Sequence, residues 1–443
     1  MTEPAPDAPP PAPRRRLVTR RRFLAGALGS GAALSVGVPW LWRITPPPRL
    51  DAVKLDDDAL ALWEAAWAGL DPTRVVDVHV HVLGMGIGGT GCYVHEEAHS
   101  LRSPVRLLKT RFYKGAAGIH DDARADALFV ERLVDLARHP RPRGRYLLLA
   151  FDEHRAPDGT VDRGRTEFHT PNDHVAKVVA AHPELFLFGC SVHPYRTDAL
   201  AELERCAALG AVAVKWLPNA MGIDPLDPRC EPFYAKLVEL GLPLLTHAGE
   251  EQAVHAEEAQ ELGNPLRMRR ALELGATVIV AHCASLGASL DLDALEGPGG
   301  QRPRVSSYRL LRRMLAEERW KGRLFADVSA TTQFNRVENA LAELLATPGL
   351  HPRLLNGSDY PLPAIDPLVR LGQLVDLGLL DPKDRPALKA LYAYDPIAFD
   401  FTLKRRVRAL VDGQERRFGN EVFEAARAFP RLSGGAAPGP RPR

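Results

Sequence analysis

The sequence predicts an α/β fold: a (β/α)8 TIM barrel with a long insertion after its first strand. Three observations point there. Short apolar runs recur along the chain, separated by stretches of helical spacing, an alternation that means a mostly parallel sheet. About 380 residues lie between a proline-rich linker and a polar tail, the size of one large barrel with insertions. Polar residues gather at the C-terminal ends of the runs, and in a closed barrel those ends share one face.

The runs are "RVVDVHVHV" (74–82), "RYLLLAF" (145–151), "LFLFGCSV" (185–192), "AVAVKWLP" (211–218), "PLLTHAG" (243–249), "TVIVAHCA" (277–284), "LFADVSA" (324–330) and "RLLNGSD" (353–359). Between them, "DALAELERCAALG" (198–210), "PFYAKLVELG" (232–241) and "RMRRALELG" (267–275) space leucine and alanine as a helix does and close on glycine. The polar residues at or just beyond the run ends are His79 and His81, Asp152, His193, Lys215, His247, His282, Asp327 and Asp359.

The two ends read differently. Residues 1–48 hold seven arginines against Glu3 and Asp7, a net of +5, so the rest carries −3 against an overall +2. No basic body remains for nucleic acid. "TRRRFLA" (19–25) resembles the twin-arginine signal of bacterial secretion, with Arg20 and Arg21 as the pair and an Ala/Gly/Leu-rich apolar stretch behind it. The stretch from Phe23 to Ile44 is just long enough to span a bilayer, so the segment is expected to serve as signal or retained anchor. "TPPPRL" (45–50) reads as a stiff linker. The expected organisation is signal, anchor and linker over 1–48, the barrel over 49–430, and a disordered tail over 431–443. The expected partners are the export machinery and, through this segment alone, the membrane; the expected location is periplasmic, extracellular or membrane-anchored. Five cysteines without short spacing make neither a disulfide framework nor a zinc ribbon, and Cys190 and Cys283 read as packed thiols.

Two histidines in a valine run raise the question of what they hold. Side chains alternate along a strand, which places Asp77, His79 and His81 on one side and Val78 and Val80 on the other. Two strand rises separate the histidine Cα atoms by about 7 Å, within reach of one metal. His247 and Asp359 would complete a four-ligand set with a position left for water.

At these residues the sequence resembles the amidohydrolase superfamily, in its amidohydrolase-2 group, over most of 74–400. The most specific pieces are "VVDVHVH", residues 212–250, "VIVAHC" (278–283) and "LLNGSDYP" (354–361). The resemblance implies a metal-dependent hydrolase of small molecules, with a divalent ion, zinc first, on His79, His81, His247 and Asp359. It places His282 beside the reacting water or substrate carbonyl, with Asp359 and His282 as the catalytic pair. Lys215 and His193 are expected to meet substrate. Lys215 has a second reading: if carboxylated it bridges two metals, with His247 and His282 on the second. One metal per chain is the favoured expectation, because "VKWLPNA" sets bulky groups after the lysine.

The segment 83–120 must hang over the active face; its glycines suit a mobile lid, and Tyr93, His95, Arg102, Arg111 and Tyr113 are candidates to line a pocket. Asp152, His154, His169, Asn172 and Asp173 form a second polar set, in which "TPNDHV" reads as turn and helix-cap chemistry. Gly84, Gly86 and Gly89 spell a dinucleotide-binding turn, but Pro104 interrupts the chain beyond it too early for a crossover helix. "GCSVH" (189–193) misses the serine-hydrolase elbow. The alternatives to hydrolysis are a non-oxidative decarboxylase of the aminocarboxymuconate semialdehyde type and an exported, non-catalytic binding barrel.

Overall fold

All eight apolar runs become parallel strands of one sheet. The computed structural model describes residues 44–254, 256–297, 300–366 and 368–432; the twin-arginine motif, the apolar stretch through residue 43 and the tail from 433 lie outside them. The strands are β1 (Val76–His81), β2 (Arg145–Leu149), β3 (Phe186–Cys190), β4 (Ala211–Trp216), β5 (Leu244–Thr246), β6 (Val278–Val280), β7 (Leu324–Asp327) and β8 (Leu354–Leu355), paired in that order. The sheet closes where β1 meets the chain leaving β8. Val78 N donates to Asn356 O (2.9 Å), Asp359 N to His79 O (2.7 Å) and His81 N to Tyr360 O (3.0 Å). Among the described residues no helix is long and apolar enough to cross a membrane.

Inward-facing Val76, Val78, Leu147, Leu149, Leu245, Ile279, Phe325 and Leu355 fill the barrel, and Ala425, Ala428 and Phe429 from the C-terminal turns pack into the same cluster. Strand residues of the opposite parity meet the helices outside. The expected alternation in β1 fails at one place. The pairing of β1 with β2 shifts register between Asp77 and Val80. Val76 and Val78 join the interior, Val80 joins the outer layer, and Asp77 faces a small outer cavity beside Trp63, Trp67 and Tyr146. Asp77 therefore does not share a side with His79 and His81. An irregularity that inserts a residue re-aims the side chains beyond it, and such features recur next to active sites.

The insertion after β1 is a built structure. Tyr93–Val94 pairs antiparallel with Phe168–His169. Helix α1 (Pro104–Ala116) opens on a proline at its first position, where the missing N–H costs nothing. Helix α2 (Ala125–Arg138) buries Leu128, Phe129, Leu133 and Leu136 on one face and stops before Pro140, whose ring disfavours helix at the residue ahead of it. The glycine loop wraps one buried carboxylate at the start of α2. Asp126 accepts from Met85 N (2.6 Å), Gly86 N (3.1 Å) and Thr90 Oγ1. A Cβ on Gly84 would stand 2.5 Å from Asp126 Oδ2, and Gly86 has φ +82°. Close approach and a left-handed backbone account for these glycines. Asp126→Ala strips partners from two backbone amides and is expected to destabilise the fold by about 2–3 kcal/mol, read as a lower urea midpoint.

Candidate metal centre

The strand ends bring His79, His81, Lys215, His247, His282 and Asp359 to the floor of one cavity of about 160 Å³. Asp359 sits at the centre. Its Oδ1 lies 3.1 Å from His81 Nε2 and 3.5 Å from His79 Nε2, and its Oδ2 lies 3.7 Å from His282 Nε2. Ligand atoms of His79, His81 and Asp359 all fall within 4.8 Å of one another.

Backbone conformation aims these groups at a cost. Asp359 has φ +62°, and His282, Cys283 and Ala284 have φ +55°, +51° and +48° in succession. The left-handed region costs an L residue about 1–2 kcal/mol, and it turns the chain sharply off the ends of β6 and β8. Asp327 on β7 holds the first of these turns: its Oδ1 accepts from His282 N (3.0 Å), and its carbonyl from Cys283 Sγ. Gly357 lets β8 approach β1, since a Cβ there would stand 2.7 Å from the Cβ of His79.

Hydrogen bonds fix two ring tautomers, and a carboxylate faces a third ring. His79 Nδ1 donates to Asp327 Oδ2 (3.0 Å). Ser329 Oγ donates to Asp327 Oδ1, so it accepts from His282 Nδ1 (2.7 Å). His247 Nδ1 faces Glu251 Oε2 at 3.4 Å, while Glu251 Oε1 accepts from Ala253 N (2.5 Å) and Val254 N (3.1 Å). The Nε2 atoms of His79 and His282 are thereby left as lone pairs. Burial holds the rings neutral: it drives His79 and His282 well below the usual histidine range and His247 down to about 4. Burial also lifts Asp359 above the ordinary carboxylate range and lowers Lys215 to about 8. Lys215 Nζ, wholly interior, lies 3.0 Å from His79 Nε2.

This donor set fits a divalent cation. His247 Nε2 is buried without a hydrogen-bond partner, a cost that a metal–ligand bond removes. Neutral imidazoles, one carboxylate and outer carboxylates on the far ring nitrogens are what zinc and related ions take.

His193 is a correction. It is fully buried, its Nε2 bonded to Met221 O (2.9 Å) and its Nδ1 accepting from Tyr195 N (3.1 Å), and it does not line the cavity. Both nitrogens are spent on backbone, so it braces loops. Of the five lid candidates only Tyr113 lines the cavity; Tyr93, His95, Arg102 and Arg111 do not, and His95 caps the turn at Glu97. In the second polar set Asn172 makes no helix cap. It bonds Ser191 N and O and Glu202 instead. All five cysteines are buried free thiols.

Three groups at the cavity escape a reading of the sequence. Arg106 on α1 grips Glu167 (2.7 Å) and Glu97 (2.6 Å), pinning the insertion. Glu251 faces the Nδ1 of His247. Arg336, after β7, lines the cavity almost fully buried; its Nη1 reaches Ser285 Oγ at 3.4 Å and its Nε has no partner. Asp327 was legible as a strand-end acid, and the others carry no signal in spacing. Gly357→Ala is expected to push β8 from His79 and lower the metal content of purified protein, measured by elemental analysis, while circular dichroism stays native.

Residues 76–395 match the amidohydrolase family. No curated protein matches the chain. Among solved structures the chain is similar to a TIM-barrel protein from Bordetella bronchiseptica (16% identity, TM-score 0.43, covering 74% of this chain and 99% of that one). It is also similar to 4-oxalomesaconate hydratase from Rhodopseudomonas palustris (16%, 0.41, 81% and 96%). A third is 5-carboxyvanillate decarboxylase from Novosphingobium aromaticivorans, solved with bound manganese (13%, 0.43, 81% and 97%). With the family matched over most of its length, this chain belongs to the amidohydrolase family.

Proposed function

We propose that this protein is a metal-dependent hydrolase of small organic molecules, with one divalent cation on His79, His81, His247 and Asp359. The observation that carries the reading is the gathering of His79, His81, His247 and Asp359 at one buried cavity floor, with the His79 tautomer set by Asp327 and the His247 Nε2 left without a partner. A bound divalent cation supplies Lewis-acid polarisation and a water acidified towards neutral pH. Asp359 carries the proton from the attacking water to the leaving group. His282 stays neutral and presents its Nε2 as a hydrogen-bond acceptor that orients the reacting water, with Ser329 and Asp327 behind it. Lys215 and Arg336 add positive charge to the same cavity.

The double variant His79→Ala/His81→Ala is expected to lose its metal. His282→Asn is expected to keep about one metal per chain and lose ~10²–10³-fold in turnover, because a positioned proton-transfer or charge-stabilising group is worth that much. Full metal content in the double variant, by elemental analysis, overturns the ligand assignment. Two metals per wild-type chain, falling towards one in Lys215→Ala, overturn the single-metal reading.

One observation favours a second reaction, non-oxidative decarboxylation. Arg336 is desolvated with an unpartnered Nε, and burial lowers it from the usual guanidinium range. A carboxylate on the substrate would meet that donor. Arg336→Met is expected to raise KM for a carboxylated substrate roughly 10–100-fold with metal content unchanged. Carbon dioxide release without uptake of labelled water oxygen decides for decarboxylation, and label in the product for hydrolysis.

A further inference from the structure

The cavity has two unlike halves. Histidines, Asp359, Lys215 and Arg336 stand at its floor, while the rest is walled by Met85, Val94, Ile119, Phe129, Phe151 and Phe168. Neighbours fix these walls. Val94 pairs across strands with Phe168, whose ring centre lies 4.2 Å from that of Phe151. Met85 is held through its amide by Asp126 at the start of α2, the helix that supplies Phe129.

Helix α1 hangs polar side chains into this apolar chamber, and the protein takes them up. Arg106 is gripped by Glu97 and Glu167, Lys109 Nζ donates to Gln252 O (2.8 Å), Tyr113 Oη donates to Ala253 O (3.4 Å), and Lys114 pairs with Asp122. Among the described residues, the cavity-lining side chains with a buried polar atom that lacks a partner are His81, His247 and Arg336. All three come from the barrel end. A hydroxyl or carboxylate carried into the chamber would shed its water and find no partner there beyond Thr110, a loss of roughly 10–100-fold in binding. Volume sets the size of what fits. The cavity's 160 Å³ is close to the ~150 Å³ apolar cavity that takes one benzene molecule.

We propose that the substrate is an ester or amide of a compact hydrocarbon acid. Its acyl body, about as large as a benzene ring and free of hydroxyl, amine or second carboxylate groups, fills the chamber, and its carbonyl lies at the floor. Water adds to the acyl carbon, the bond from that carbon to oxygen or nitrogen breaks, and the leaving alcohol or amine takes the proton. The free acid is the product, its carboxylate facing Arg336. A hydrocarbon body offers no electron sink for the carbanion that loss of carbon dioxide would leave, so the chamber favours hydrolysis over decarboxylation. This assignment rests on the activity proposed above and adds the part of the substrate that does not react.

The test titrates three product-like acids, benzoate, meta-dihydroxybenzoate and naphthoate, into the full-length protein by calorimetry, metal-loaded and metal-stripped. Benzoate is expected to bind about 10–100-fold more tightly than its dihydroxy derivative, and more tightly than the two-ring acid. Phe168→Ala makes room and is expected to reverse the order of benzoate and naphthoate. Met85→Gln sets an amide in the wall and is expected to bring the two benzoates close to equal affinity. Equal or tighter binding of the dihydroxy acid by the native protein overturns the proposal, and so does binding of none of the three at millimolar concentration. An order left unchanged by both variants overturns it as well. The ratios are read without turnover. Ratios that fail in a protein that hydrolyses other compounds remove this assignment alone, whereas ratios that hold in a protein with neither metal nor turnover leave the chamber's preference and remove the activity.

Discussion

Between β1 and β8 the barrel closes through a few hydrogen bonds, and the segments that make them also carry the candidate metal ligands. Asp77 is the fastener. One of its oxygens accepts from His79 N (3.1 Å) and from Ser358 N (2.8 Å), tying together two chain segments 281 residues apart. Burial raises its carboxyl to about 7, so those bonds work against a desolvation cost. Lys404 secures the same segment from outside, donating to Gly357 O and to Asp400 (both 2.5 Å). The position of Asp359 against His79 depends on this seam, and so does the geometry of any ion they hold.

A second layer of acids organises the site from the other side. Asp327 accepts from His79 and, through Ser329, orders the Nδ1 of His282, while the Glu251 carboxylate faces the Nδ1 of His247 at 3.4 Å. The His79 and His282 imidazoles are thereby converted from ambidextrous groups into lone pairs at Nε2 before any cation arrives. Preorganisation of this kind lets a buried site bind an ion without first paying to choose tautomers.

Much of this was legible in the sequence. The eight runs each became a strand, because apolar runs of that length bounded by helical spacing have few other solutions. His79, His81, His247, His282, Lys215 and Asp359 meet because a closed barrel gathers its strand ends. What could not be read depends on direction. The irregularity after Asp77 hides in an unbroken valine–histidine alternation with no glycine or proline to mark it. His193 occupies a strand end like the others, yet Met221 and Tyr195 consume its ring, and only three-dimensional packing assigns those partners. Arg336 stands nine residues past Asp327 in a loop whose composition says nothing of its inward path.

The barrel floor has a consequence for how the chain comes to be folded. Ala425, Ala428 and Phe429 complete the interior cluster that β1 begins at Val76. The first strand emerges from the ribosome with neither its β8 neighbour nor its floor yet made. Loops of such length are costly to close, and contacts so far apart in sequence slow folding. Final closure must therefore wait until nearly the whole polypeptide has been synthesised, and a nascent chain halted a few turns short of residue 429 would present an open-ended sheet with an uncovered apolar interior.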